Sequence, residues 1–184
     1  MSKQFSPRRL DVKAFAEEGG HLAGQEPVHS HARLLAETQG RGGDTAVAWS
    51  VSGHLRNPMH VNPQVWLHLE AATTLSLVCQ RCLNPVDVPV RVERDFRFVA
   101  DEQAAAAEDE EAEEDVLAMS HAFDLLELVE DEVLMEMPLA PRHDACPPVQ
   151  LEVADEGFEG ASARRENPFA VLGRLKGDTR EGGD

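Results

Sequence analysis

Between residues 45 and 99 apolar and polar side chains alternate with a period of two, and no other feature restricts the chain as strongly. Val47, Trp49, Val51 and Leu55 share one parity, opposite Ala48, Ser50, Ser52 and His54. After a break at Asn57-Pro58, Val65, Leu67, Leu69, Ala71, Thr73, Leu75, Leu77 and Cys79 are all odd, opposite His68, Glu70, Thr74 and Ser76. Past residue 85 the apolar set is even: Val86, Val88, Val90, Val92, Phe96 and Phe98, opposite Asp87, Arg91, Glu93, Asp95 and Arg97. Successive side chains of a strand point to opposite faces, so such a run has one wet face and one face that must be covered. The expectation is a set of antiparallel strands. QRCLNP at 80–85 is the hairpin loop between two of them, and Pro85 opens the return strand.

The cover is a helix. Asp124 is placed as its N-cap with Glu127 at the third helical position, and Leu126, Val129, Val133 and Met137 recur at helical spacing, widened by Leu125 and Leu128. Glu127, Glu130, Asp131 and Glu136 are assigned to the water side, and Pro138 ends the helix. Together these elements predict an α+β core over residues 45–146, with an antiparallel, partly barrel-like sheet under one main helix.

Residues 1–44 read as an N-terminal helix and turn segment of the same domain. Asp11 caps a short helix from Val12 to Glu18, and Gly19-Gly20 stops it. Arg33 to Glu37 fits a helical turn or a short strand. GRGGD at 40–44 is turn chemistry, since it lacks the Lys-Ser/Thr that follows a phosphate-binding loop. DEQAAAAEDEEAEED at 101–115 carries no basic residue and reads as a solvated, mobile acidic loop. Residues 147–184 read as a flexible tail with one apolar island, NPFAVLGRLK. There Asn167 is a good N-cap, Pro168 takes the first helical position, and Phe169, Leu172 and Leu175 share a face. A short apolar helix on a polar linker is a candidate partner-binding element, or it docks on its own domain.

Charge narrows the function. The 184 residues include 17 basic and 34 acidic side chains, for a net charge of −17, a field that repels nucleic acid and attracts basic proteins. No apolar run reaches the ~20 residues of a membrane span. The N-terminus has no apolar segment of the secretory kind. Three cysteines, an odd number, suit a reducing compartment rather than a disulfide framework. The expectation is a cytoplasmic protein with no membrane partner.

Cys79 and Cys82 form a C-x₂-C pair, and His143 and Cys146 form H-x₂-C beyond the helix. If the helix returns the chain to the hairpin tip, one histidine and three cysteines meet in a zinc site. The other reading is three reduced, partly buried thiols with no cofactor. A redox dithiol fits less well, because reactive pairs sit at helix N-termini and this one sits in a turn between strands. No triad, metal-binding helix or isolated carboxylate pair calls for an enzyme.

CQRCLNPV (79–86), DLLELVEDEVLMEMPLAPRHDAC (124–146) and NPFAVLGRLK (167–176), in this order and spacing, resemble the YceD family of bacterial and plastid proteins. The resemblance implies a non-enzymatic role in accumulation of large-subunit (23S) ribosomal RNA, hence in ribosome biogenesis. Taken with the acidic charge, it points to a basic ribosomal protein or a pre-50S particle as partner, with rRNA reached indirectly. Two alternatives stand beside it. One is a direct rRNA-binding module using Arg91, Arg94 and Arg97, or Arg164, Arg165, Arg174 and Lys176. The other is a metal-dependent RNA-processing enzyme.

Overall fold

A computed structural model of the chain describes residues 4–61, 63–109 and 112–146. The chain up to Cys146 forms one compact unit, and the Asn167–Lys176 segment lies outside the described residues.

The two-residue period forms the three long strands of a five-stranded sheet. Its strands are β1 (His21–Pro27), β2 (Ala46–Arg56), β3 (Gln64–Val78), β4 (Pro85–Val99) and β5 (Asp115–Ala118), in spatial order β1-β2-β3-β4-β5. β1 to β4 pair antiparallel as a meander, and in the longest pairing Val65 faces Phe98, Leu75 faces Val88 and Val78 faces Pro85. Burial follows the parity of the sequence. Val47, Trp49, Val51, Leu67, Leu69, Leu75, Val90, Val92 and Phe96 line the covered face. β1 lies in the 1–44 segment, which the sequence reads as helix and turn, and it extends the sheet by one edge.

Two expectations need correction. The sheet is mixed, because β5 pairs parallel to β4, with Phe96 opposite Asp115 and Phe98 opposite Leu117. It is also open, since β1 and β5 are its two edges, which does not match a barrel-like closure. A parallel return needs a crossover of about a dozen residues or more, and the acidic stretch supplies it. That stretch is not a plain loop. Helix α3 (Glu102–Asp109) occupies its first half, where four consecutive alanines have the best intrinsic helix propensity. The Asp101 carboxylate accepts the Ala104 backbone N–H at 2.8 Å as a cap. Arg97, which points to the sheet's other face, donates to Glu108 at 2.5 Å and Glu114 at 2.6 Å and so anchors the stretch.

The covered face carries α1 (Val12–Glu17) and α4 (Leu125–Glu136). Asp11 and Asp124 cap them as expected: the Asp124 carboxylate accepts the N–H groups of Leu126 and Glu127 at 3.0 and 3.2 Å. Leu125, Val129 and Val133 are fully buried and Met137 is partly buried, so the predicted stripe is the packed one. α1 can lie close because β2 has Gly53 beneath it. A Cβ there would come within 2.6 Å of the Phe15 ring and 3.0 Å of the Ala16 backbone. Arg33 to Glu37 resolves as helix α2 (Ala32–Glu37). Among the described residues no helix is long and apolar enough to cross a membrane.

Candidate functional site

β3 and β4 are joined at residues 79–84 by a tight turn. The Cys79 N–H donates to the Asn84 carbonyl and the Leu83 N–H donates to the Cys79 carbonyl, each at 2.9 Å. Leu83 takes a left-handed backbone, φ 60°, a conformation that costs a branched side chain and usually falls to glycine. After Pro138 the chain runs back along this turn, and the Gln80 N–H donates to the Pro141 carbonyl at 2.8 Å. That return delivers His143 and Cys146 to the cysteine pair.

The four predicted donors are together. The Sγ atoms of Cys79, Cys82 and Cys146 and one ring nitrogen of His143 all lie within 4.8 Å of one another. Cys79 Sγ is 3.7 Å from Cys146 Sγ, and Cys82 Sγ is 3.4 Å from His143 Nδ1. The other ring nitrogen, Nε2, is 2.9 Å from the Pro85 carbonyl oxygen. A carbonyl only accepts, so Nε2 carries a proton; Nδ1 faces the sulfurs, donating to a thiolate when the ring is protonated and presenting its lone pair when it is neutral. Cys79 is fully buried, while Cys82, Cys146 and His143 are half-buried.

The thiols are electrostatically unequal. Burial pushes the Cys79 thiol up, but the backbone N–H groups of Cys82, His143 and Arg81, with the His143 ring, outweigh it and bring it down to about 5. Burial and the neighbouring Cys82 and Cys79 sulfurs push Cys146 up to about 11. One thiolate stabilised by N–H donors, with further sulfurs and an imidazole beside it, is the chemistry of a soft-metal donor set. A second group, His68, Glu70 and Glu93, gathers on the sheet's open face, but Asp95 holds His68 Nδ1 at 2.8 Å and Ser50 donates to Glu70 at 3.1 Å.

The carboxylates of α4 are not all in water, which corrects the sequence reading. Glu130 is buried and accepts the Arg33 N–H at 2.7 Å and the Leu34 N–H at 3.2 Å, capping α2 from across the structure. The α2 N-cap position, His31, makes no capping bond of its own. Asp131 pairs with the Arg33 guanidinium. Glu132, also buried, lies 3.7 Å from Arg94 Nε, close enough for an ion pair but too far for a hydrogen bond. A signal for both glutamates was present: Glu130 falls four residues after Leu126, and Glu132 three after Val129, on the buried stripe itself.

The arginines singled out for RNA are spent differently from one another. Arg94 pairs with Asp115 at 3.6 Å as well as Glu132, Arg97 is held by Glu108 and Glu114, and Arg91 is exposed. Asn167, Pro168, Phe169, Leu172 and Leu175 lie outside the described residues.

Fold and site thus define an α+β protein with an open five-stranded sheet and a sulfur-rich donor cluster at one hairpin tip. The chain belongs to the YceD family, described as large ribosomal RNA subunit accumulation protein, whose sequence model matches residues 67–176. It is 30% identical over 121 residues to the Haemophilus influenzae large ribosomal RNA subunit accumulation protein YceD, a match covering 64% of this chain and 70% of that protein. No solved structure matches the chain. The family description ties it to accumulation of large-subunit ribosomal RNA.

Proposed function

We propose that the chain is a non-enzymatic, cytoplasmic assembly factor that sustains 23S rRNA by engaging a basic ribosomal protein or an immature pre-50S particle, with RNA touched only indirectly. The observation supporting it is the use of cations. On a chain of net charge −17, Arg33, Arg56, Arg94 and Arg97 are each within ion-pair distance of its own carboxylates. A phosphate backbone is bound by cations that can release its counterions, so arginines already paired internally contribute little. An acidic surface instead steers a basic partner and speeds its capture. The tail residues Asn167, Pro168, Phe169, Leu172 and Leu175 belong to the same proposal as a second point of attachment.

The test is capture from growing cells by crosslinking, with and without nuclease. Retention of one basic large-subunit protein after RNA is digested is the expected result. Loss of all partners on digestion, together with binding of bare 23S fragments that falls steeply with salt, overturns it in favour of an RNA-binding module.

A further inference from the structure

We propose that Cys79, Cys82, Cys146 and His143 bind one zinc ion in a closed tetrahedral site that clips residues 137–146 to the β3–β4 hairpin. The inference goes beyond the assembly role and stands or falls without it.

The distances carry it. Zinc bonds of about 2.3 Å to sulfur and about 2.0 Å to nitrogen give tetrahedral edges of about 3.8 Å between sulfurs and about 3.5 Å between sulfur and nitrogen. The Cys79–Cys146 contact is 3.7 Å and the Cys82–His143 contact is 3.4 Å, and these are two opposite edges of one tetrahedron. A lone thiol contact explains either distance but not the closure of all four donors within 4.8 Å. A disulfide needs sulfurs at about 2.0 Å and leaves a cysteine and the histidine unexplained.

The surroundings match as well. His143 presents Nδ1 to the cluster while Nε2 is tied to the Pro85 carbonyl, the outer bond that fixes the tautomer of a metal-bound histidine. Three sulfurs and an imidazole disfavour magnesium and calcium, which take oxygen. Four protein donors leave no open position for water, so the site is structural rather than catalytic.

The clip has something to hold. Between the end of α4 and Cys146 the chain has no regular secondary structure, and Leu139 is fully exposed. Beside the cluster it is tied to the hairpin by the Gln80–Pro141 and His143–Pro85 bonds. Without metal, these hydrogen bonds and the burial of Pro141 and Met137 hold a segment that has no regular secondary structure of its own.

The full chain, purified without chelator under reducing conditions, is expected to carry about one equivalent of zinc. Cobalt in its place gives a thiolate charge-transfer band and intense tetrahedral bands. Cys82→Ser and His143→Gln, both at half-buried positions, are expected to lose most of the metal yet keep the sheet amides protected from exchange. Amides of 138–146 lose protection and trypsin cleaves faster after the exposed Arg142. A chain free of zinc, variants that keep the metal, or cleavage after Arg142 that metal removal does not change each overturn the proposal. If either variant fails to fold, chelation of the wild-type chain followed by the same proteolysis decides it.

Discussion

Glu130 and Glu132 stand two residues apart on α4 and carry opposite energetics. Glu130 is buried, which by itself disfavours its charge. The Arg33 and Leu34 N–H groups and the Arg33 guanidinium more than offset that, holding its carboxyl below the usual range. A depressed folded value means stability that is present above the unfolded carboxylate range and lost as pH falls through the folded one. Glu132 is shifted the other way: burial raises its carboxyl, Arg94 opposes that only in part, and Asp115 adds to it. Its charge therefore costs stability as pH rises from the unfolded value through the raised one. Glu130→Gln is expected to destabilise by about 2 kcal/mol at neutral pH, the scale of hydrogen bonds to a charged group. Glu132→Gln should change stability by less than about 1 kcal/mol or increase it, because Arg94 keeps Asp115 and a strained charge is gone. Urea unfolding at pH 7 and at pH 4 separates them. Equal losses at pH 7 would refute this assignment of roles.

At the scale of elements, legibility tracked how many residues share one period. β2, β3, β4 and α4 each repeat a burial pattern over a dozen residues or so, and each was placed from sequence. β1 was not, because one face of this edge strand is exposed and the half-buried other face carries Leu22, Gly24 and Glu26, too few apolar residues to read as a stripe. β5 is four residues long, and its alternation is lost beside the acidic run. α3 was hidden for another reason: net charge argued for a loop while four alanines and an Asp101 cap argued for a helix, and Arg97 supplied the anchor that charge alone lacked. At the site, the donor spacing was legible, but their meeting depended on the return of the chain after Pro138, which no local pattern encodes. The fit of α1 on the sheet gives this scale its prediction. Gly53→Val drives a branched side chain into Phe15 and the Ala16 backbone, so it should cost several kcal/mol, at the upper end of overpacking effects. Gly43→Ala, whose Cβ would meet side-chain carbons only at 3.6 Å, is the control and should cost about 1 kcal/mol or less. Thermal melts of the pair check the difference.

For the whole molecule, 34 acidic against 17 basic side chains make carboxylates the dominant charge, and a charged surface alone gives fast but weakly specific encounter. Specificity then needs an apolar anchor, and the proposed one is Asn167–Lys176, which lies outside the described residues. On the helical reading of its sequence, Phe169, Leu172 and Leu175 would share one face behind an Asn167 cap. A helix of this length is marginal in water by itself, so its apolar face gains stability only against a surface. Phe169→Ala combined with Leu172→Ala is therefore expected to leave the melting temperature of the isolated protein unchanged while lowering 23S rRNA and large-subunit levels in cells. Two measurements are required, because they divide the explanations. A lowered melting temperature identifies the segment as part of the protein's own packing. An unchanged melting temperature with normal subunit profiles removes the tail from the proposed attachment and leaves the acidic surface to account for it alone.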